Sequence, residues 1–136
     1  MDTNKAIEEF WRCFADMDWQ SLKSLIAPSF TAYWPQSEAF FKNRELYVEM
    51  NQNYPGEHKF EIKNINVFGE TAISEVLIHS KILPHFLKEE EVKTEEEEVS
   101  LYAVSIFKIK DSQIQSLVEY WGDCYEPPSW QQKYLK

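Results

Sequence analysis

The feature of this chain best suited to chemistry is a carboxyl group among apolar neighbours, Glu119 in the run LVEYWGD at residues 117–123. Side chains of a strand alternate between its two faces, so every second residue of this run is predicted to share one face. Those residues are Leu117, Glu119, Trp121 and Asp123. The pattern does not choose between Glu119 and Asp123 as the reactive carboxylate.

A carboxyl group between an aliphatic residue and an indole is expected to have a raised pKa, because apolar surroundings disfavour its charged form. Glu119 is therefore a candidate general acid or base near neutral pH, with Asp123 assisting. Two alternatives stay open. Glu119 lines a pocket without taking part in catalysis, or it lies at the surface or in a dimer interface.

A second candidate pair lies on the strand that is predicted over residues 71–83. The residues that share one face there are Ile73, Glu75, Leu77 and His79, so two polar groups stand among aliphatic ones. Glu75 and His79 are candidates for a pocket acid and base, since histidine titrates near neutral pH. The alternative is that His79 is a structural residue with satisfied hydrogen bonds.

Histidine, glycine and cysteine usage predicts no metal, phosphate-binding or nucleophilic site. The three histidines, His58, His79 and His85, have no recurring spacing of the kind that metal ligands show. Three glycines are too few for a phosphate cradle. Cys13 has no neighbouring histidine or basic cluster to activate it as a nucleophile. We therefore expect neither a metal nor a cofactor.

Aromatic residues make up 15% of the chain, more than a minimal core needs. Large rings are typical both of pocket walls and of ordinary cores. The residues that we predict to contact a small apolar ligand are Trp11, Tyr33, Trp34, Tyr47, Tyr102, Leu117 and Trp121.

Helical patterns fill the first half of the chain. The apolar stripe of a helix at residues 3–16 is Ile7, Phe10, Trp11 and Phe14. Asp2 or Thr3 can cap this helix, and Asp18 can cap a second one that Pro28 ends. A third helix is predicted at about 43–53, with Asn43 as its cap and with Leu46, Tyr47 and Met50 facing inward. Between the second and third helices, residues 30–34 are predicted to be extended.

Strand patterns fill the second half. Phe60 and Ile62 alternate in phase, but Ile65 and Val67 have slipped by one position, which predicts a β-bulge near residues 63–64. The next strand, at 71–83, ends at Pro84. Residues 99–109 and 113–122 predict a long β-hairpin. The acidic run at 88–98 is predicted to be a solvated hairpin tip, or alternatively an acidic docking surface.

Helices followed by antiparallel strands predict a single α+β domain over residues 1–136. Both faces of the strand at 99–109 are apolar. One face carries Val99, Leu101, Ala103 and Phe107, and the other carries Tyr102, Val104 and Ile106. The helices can cover one face, and a second copy of the chain is the economical cover for the other, so a homodimer is expected.

Charge and composition exclude several classes of partner. The net charge is −9, and only Arg12 and Arg44 are arginines, which argues against nucleic acids and anionic membranes. The two unpatterned cysteines, Cys13 and Cys124, are typical of a reduced, cytoplasmic protein. The opening MDTNKAIEEF has no apolar signal core, and no run approaches the length of a membrane span.

Two stretches resemble the SnoaL-like group of the nuclear-transport-factor-2-like superfamily, which is named after polyketide cyclases. AIEEFWRCFADMDWQSLKSLIAP, at 6–28, resembles that group's first helix, short acidic break and second helix. IQSLVEYWGDCYEPPSW, at 114–130, resembles its last strand, where an acidic-aromatic-aromatic run precedes an Asp. The order of elements matches over nearly the whole chain.

The resemblance implies a cone-shaped α+β barrel, three helices packed on a curved antiparallel sheet, with a pocket between them and dimers formed through the sheet's outer face. It also implies a pocket carboxylate that moves a proton next to a carbonyl. The first helix lacks the tyrosine donor of ketosteroid isomerases. The strand at 71–83 lacks the arginine of the Asp-Arg-Asp set in limonene epoxide hydrolase, whose last acidic position corresponds to Glu119. Two functions therefore stay open: a cofactor-free acid–base enzyme, and a non-catalytic ligand-binding or dimeric interaction module.

Overall fold

The computed structural model describes residues 2–82 and 97–135. Helices lie in the first half of the chain, where two strands separate the second helix from the third, and long strands fill the second half, which confirms the predicted α+β fold. Within the described ranges the elements are α1 (Thr3–Ala15), α2 (Trp19–Leu25), β1 (Ile26–Trp34), β2 (Ala39–Phe41), α3 (Arg44–Gln52), β3 (Glu57–Phe68), β4 (Thr71–Ile82), β5 (Glu97–Lys110), β6 (Gln113–Asp123) and a 3₁₀ helix (Ser129–Tyr134). Pro84, His85 and most of the acidic run at 88–98 lie outside the described residues.

The strands form one curved sheet in the order β2-β1-β6-β5-β4-β3. Neighbouring strands are antiparallel except for β1 and β6, which pair in parallel. The predicted cone-shaped α+β fold is confirmed, and the predicted long hairpin is β5 and β6. The sheet is not closed into a barrel, and β2 and β3 are its edges among the described strands.

Each helix begins at a polar residue that the sequence identified as its cap. The side chains of Asp2, Asp18 and Asn43 accept hydrogen bonds from the backbone amide three residues later, at 2.8, 3.2 and 2.8 Å. These bonds satisfy amides that have no partner within the helix. The three predicted helix starts are confirmed, because capping depends only on residues that are close in sequence.

Predictions between the second and third helices needed correction. Helix α2 ends at Leu25, and β1 runs through Pro28, so Pro28 does not end the helix. A residue before proline avoids the helical region, and proline lacks a ladder donor, which fits the irregular β1–β6 pairing between Ile26 and Thr31. Strand β2 was not predicted. Leu46 was expected to face inward but is 44% exposed. Tyr47 is buried as predicted, and the residue buried beside it on α3 is Val48.

The predicted β-bulge in β3 is confirmed. The pairing of β3 with β4 shifts between Ile62 and Asn64. As a result Ile62 lies opposite Val76 and Ile65 lies opposite Ser74, so both isoleucines face the same side although they are three residues apart. The bulge therefore keeps the apolar residues of β3 on the inner face of the sheet.

The core lies between α1 and this inner face. Ile7 and Phe10 of α1 are fully buried, and the ring of Phe10 packs edge-on against Phe107 of β5 with centroids 5.0 Å apart. Burying one such side chain contributes about 1.5–3 kcal/mol, so this contact fixes the helix on the sheet. No helix in the described part of the chain is long and apolar enough to cross a membrane.

Candidate functional site

A cavity of about 720 Å³ lies between the helices and the inner face of the sheet. Its walls are largely aromatic, and they include Trp11, Phe14, Trp34, Tyr47, Phe60 and Trp121. A few polar groups stand among these rings, chiefly Glu119, His58 and Ser80. A large apolar cavity with few polar groups is typical of a small-molecule site.

Trp11 fixes one wall of the cavity. Its indole N–H donates to the hydroxyl of Ser74 at 3.0 Å, and both residues are buried. Ser74 lies on the inner face of β4, so the bond ties α1 to the sheet. The ring packs against Phe60 of β3 at a centroid distance of 5.7 Å. The polar end of this tryptophan is thus satisfied within the protein, and only its apolar surface faces the cavity.

Glu119 is the buried carboxyl group of the site. It is 2% exposed and lies directly opposite Ser105 of β5, whose hydroxyl donates to its Oε2. Burial raises the pKa of Glu119 to about 7, and the hydrogen bond from Ser105 offsets part of the rise. A raised pKa was predicted from the apolar neighbours of Glu119 in the sequence, because taking the carboxylate out of water disfavours its charge. Both protonation states are therefore populated near neutral pH.

Trp34 stands beside Glu119. Tyr33 of β1 pairs with Val118 of β6, so the next residues along the two parallel strands are neighbours. The indole N–H of Trp34 makes no hydrogen bond of normal geometry to a described residue, but its proximity to the carboxylate also lowers the pKa of Glu119. This effect is smaller than the effects of burial and of the Ser105 hydroxyl.

Trp121 packs edge-on against Trp34, with ring centroids 5.4 Å apart and planes at 79°. The side-chain amide of Gln36 hydrogen-bonds to both the carbonyl and the amide of the Trp121 backbone. Its Nε2 donates to the Trp121 carbonyl at 2.7 Å, and its Oε1 accepts from the Trp121 amide at 2.5 Å. In the described part of the chain, the indole N–H groups of Trp34 and Trp121 are buried and have no hydrogen-bond partner.

Tyr47 reaches the same corner from α3. It is 1% exposed and contacts the rings of Phe30 and Phe41. Burial, and then the charge of Glu119, raises the pKa of Tyr47 well above its ordinary value. The Tyr47 hydroxyl therefore stays protonated at physiological pH.

His58 and Ser80 form a second polar cluster in the cavity. The Nε2 atom of His58 lies 2.9 Å from the carbonyl of Pro55, and a carbonyl only accepts, so Nε2 carries the proton. The Nδ1 atom of the same ring is hydrogen-bonded to the Ser80 hydroxyl at 2.7 Å. His58 was not among the site residues predicted from the sequence. Its alternation with Phe60 on β3 was the signal that places it on the inner face.

Five of the residues singled out from the sequence line the cavity: Glu119, Trp11, Trp34, Tyr47 and Trp121. Leu117 is 1% exposed and belongs to the core. Asp123 is exposed at the end of β6 and is not part of the cavity wall, which ends on this strand at Trp121. The buried carboxylate of the last strand is thus Glu119 and not Asp123.

The predicted pocket position of Glu75 and His79 is wrong. Both are exposed on the outer face of β4, because the residues between them, Val76 and Ile78, face inward. His79 hydrogen-bonds there to Ser100 of the adjacent strand at 2.7 Å. The two residues do share a face, as predicted, but both faces of β4 are apolar and the pattern did not say which one the helices cover.

Tyr33 and Tyr102 are corrected in the same way. Tyr33 alternates with the inward residues Ala32 and Trp34, and its ring contacts Phe40 on the outer side. Tyr102 pairs with Leu77 and is 39% exposed on the outer face. Neither tyrosine lines the cavity.

The remaining reactive side chains form no further centre. Within residues 2–82 and 97–135, no three His, Cys, Asp or Glu side chains are grouped closely enough to hold a metal ion. Cys13 is buried, which raises the pKa of its thiol to about 11 and keeps it unreactive.

Helices packed over a curved sheet, with an aromatic cavity and a buried carboxyl between them, define a small α+β fold with an internal cavity. Residues 7–117 match the family model of the SnoaL-like domain. The chain therefore belongs to the SnoaL-like domain family.

Solved structures share this fold at low sequence identity. A candidate ketosteroid isomerase from Kribbella flavida is 17% identical with a TM-score of 0.75, covering 97% of this chain and 86% of its own. A candidate SnoaL-like polyketide cyclase from Shewanella putrefaciens is 12% identical with a TM-score of 0.77, covering 90% and 91%. An LEH-like epoxide hydrolase of M. tuberculosis is 13% identical with a TM-score of 0.69, covering 86% and 80%. No curated protein matches the sequence.

Proposed function

We propose that the cavity binds a small, largely apolar and uncharged molecule, and that Glu119 exchanges a proton with it without a cofactor. The observation that carries this proposal is the enclosed carboxyl group of Glu119, whose pKa of about 7 lies at the pH where it can both give and take a proton. The similarity in fold to a candidate ketosteroid isomerase and an epoxide hydrolase supports it by analogy.

The proposed step is proton transfer next to a carbonyl group. The ionised form of Glu119 takes a proton from the carbon beside the carbonyl, and the electron pair of that C–H bond moves into an enolate. The protonated carboxyl group then returns a proton to carbon, and the carbonyl is restored. Because Ser105 occupies Oε2 of Glu119, the oxygen that exchanges the proton is Oε1.

Hydrogen exchange tests this step without knowledge of the natural substrate. The chain is incubated in D₂O with 2-acetylnaphthalene and with small cyclic ketones, and loss of the signal from protons beside the carbonyl is followed by NMR. We expect the parent chain to accelerate exchange and Glu119→Gln to lose the acceleration. Glu75→Gln is the matched control, since it makes the same change on the outer face. Equal exchange rates in the parent and Glu119→Gln would contradict the proposal.

The alternative function is a ligand-binding module without catalysis. It is favoured by the bond from Ser105, which satisfies Glu119 within the protein, and by the internally bonded pair His58 and Ser80. Ligand affinity that survives in Glu119→Gln, together with no exchange of any ketone by the parent chain, would select this alternative.

We also propose that the chain forms a homodimer through the outer face of the sheet. Apolar side chains lie next to one another there, with exposed Val104 of β5 opposite exposed Tyr120 of β6, and exposed Tyr102 opposite half-buried Leu77. A second copy of the chain would cover this surface. A reduced, cytoplasmic location also stays a prediction, in keeping with the free thiols of Cys13 and Cys124.

A further inference from the structure

The corner of the cavity around Glu119 contains two buried indole N–H groups that make no hydrogen bond of normal geometry to any described residue, those of Trp34 and Trp121. The N–H of Trp34 lies close enough to the Glu119 carboxylate to lower its pKa, whereas that of Trp121 has no such neighbour among the described residues. Both side chains line the cavity. Buried donors are nearly always paired in folded proteins, so a buried donor in a cavity wall points to a partner that comes from outside the chain.

The packing of the two rings does not remove the need for a partner. In an edge-on pair only one ring points its edge at the face of the other, so at most one of the two N–H groups can be directed at its partner's ring. The cavity also contains a contrasting tryptophan. Trp11 has the same buried N–H group, but that group is satisfied by Ser74.

The position of the two donors is fixed by the fold. Gln36 holds the backbone of Trp121 through two hydrogen bonds, and the parallel pairing of β1 with β6 places Trp34 beside Glu119. Donors held in place in this way lose little freedom when they bind, which favours recognition of a defined acceptor.

The charge of the cavity selects the kind of acceptor. Its described lining contains the carboxyl groups of Glu57 and Glu119 and no Lys or Arg. An anionic ligand would have no counter-charge there and would face Glu119 when that group is ionised. A neutral oxygen, as in a ketone, ester or amide, accepts hydrogen bonds without that cost.

We propose that Trp34 and Trp121 form a donor subsite that holds the neutral carbonyl oxygen of the ligand beside Glu119. The inference deepens the proposed function and rests on its ligand-binding half. The two indoles are positioning residues in this site, whereas Glu119 is the residue that touches the reacting proton. They orient the carbonyl and, when an enolate forms, they donate to the oxygen on which the charge develops.

The test compares two naphthalene probes of similar size, one with a carbonyl oxygen and one without. The full chain is titrated with 2-acetylnaphthalene and with 2-isopropylnaphthalene, in which a methyl group replaces the oxygen, and the indole N–H signals are followed by NMR. We expect the ketone to bind roughly tenfold more tightly than the hydrocarbon. The ketone alone should move the Trp34 and Trp121 signals downfield. The Trp11 signal should not respond in this way, because its N–H already donates to Ser74.

Matched variants assign the effect. Trp34→Phe and Trp121→Phe each keep a ring and remove one donor, and each should reduce the preference for the ketone to less than about threefold. Trp130→Phe is the control, since Trp130 is 67% exposed in the C-terminal segment. The NMR shifts in the parent chain remain decisive if a variant fails to fold.

Three results would overturn the subsite: equal affinity for the two probes, tighter ketone binding without downfield shifts of the Trp34 and Trp121 signals, or no binding of the ketone. Failure of the proposed acid–base function is a separate result. If the ketone preference persists in Glu119→Gln while the parent chain exchanges no protons, the donor subsite stands and the catalytic role of Glu119 is lost.

Discussion

Similar residues have opposite environments on the two faces of the sheet. Glu119 on β6 and Glu75 on β4 both stand between apolar residues in the sequence. Glu119 faces the helices, is 2% exposed and has a pKa raised to about 7 by burial. Glu75 faces away from them and is exposed. A carboxyl group among apolar neighbours therefore becomes a candidate for chemistry only on the face that the helices cover.

His58 and His79 show the same difference in environment between the two faces. His58 lies on the inner face, and both of its ring nitrogens are bonded, to Ser80 and to the Pro55 carbonyl. His79 lies on the outer face, is exposed, and bonds through Nδ1 to Ser100. The inner face fixes both the tautomer and the orientation of its histidine, which is what a binding site requires.

The largest expected difference between the faces is in catalysis. Glu119→Gln should lower the rate of ketone hydrogen exchange by at least about 100-fold, because a positioned general acid or base contributes that much or more. Glu75→Gln should leave the rate unchanged. The measurement is the initial rate of deuterium incorporation at pH 7, with both variants at equal concentration. A loss of exchange in both variants would remove the distinction between the faces.

A second prediction concerns stability and pH. The pKa of Glu119 is about 7 in the folded chain and near its ordinary value of 4.5 in the unfolded chain, so the folded state binds more protons between these values. The stabilisation that protonation gives is therefore complete below about pH 4.5, and is lost as pH rises through 7. The free energy of unfolding contributed by this group should fall by about 3 kcal/mol between pH 4.5 and 8.

Urea unfolding at several pH values measures this effect. Glu119→Gln removes the titrating group, so its stability should rise relative to that of the parent chain as pH increases. Glu75→Gln should follow the parent chain, because its substitution lies on the outer face of the sheet, away from the cavity. Parallel pH profiles for the parent and Glu119→Gln would mean that Glu119 is solvated.

Local features of the molecule were predictable from the sequence. The caps Asp2, Asp18 and Asn43 and the bulge after Ile62 depend on residues within a few positions of one another, and all were confirmed. Alternation also grouped the side chains of β4 and β6 correctly. What alternation could not supply is the identity of the inner face on β4, because Ile73 and Leu77 are as apolar as Val76 and Ile78.

The corner around Glu119 depends on long-range pairing that no local pattern reveals. Trp34 comes beside Glu119 only because β1 pairs in parallel with β6, and the sequence indicated antiparallel strands. Gln36 and Trp121 are joined across 85 positions of chain. Ser105 meets Glu119 through the register of a hairpin whose arms, but not whose exact pairing, were predicted. The sequence could thus place the buried carboxyl group among its two candidates on β6, but it could not predict that group's partners.

A third prediction concerns dimerisation through the outer face of the sheet. Tyr120→Glu places a charge among the apolar residues of the outer face, and in a symmetric dimer the change occurs twice. We expect the dimer dissociation constant to rise by about 100-fold, roughly 2.7 kcal/mol. Sedimentation of the parent chain, the variant and Gln20→Glu, a control on exposed α2, measures this. A parent chain that is monomeric at micromolar concentration contradicts the dimer.

The smallest expected effect compares two serine hydroxyls, one on each face. Ser74 accepts from the buried indole of Trp11, whereas Ser100 contacts the exposed His79. Ser74→Ala leaves a buried donor without its partner and should lower the free energy of unfolding by about 1–3 kcal/mol. Ser100→Ala should change it by less than about 0.5 kcal/mol, since water replaces the lost contact. Urea unfolding at constant protein concentration measures both. Equal losses of unfolding free energy in the two variants would mean that the outer hydrogen bond is as shielded from water as the inner one. A second copy of the chain bound to the outer face would then be the expected source of that shielding.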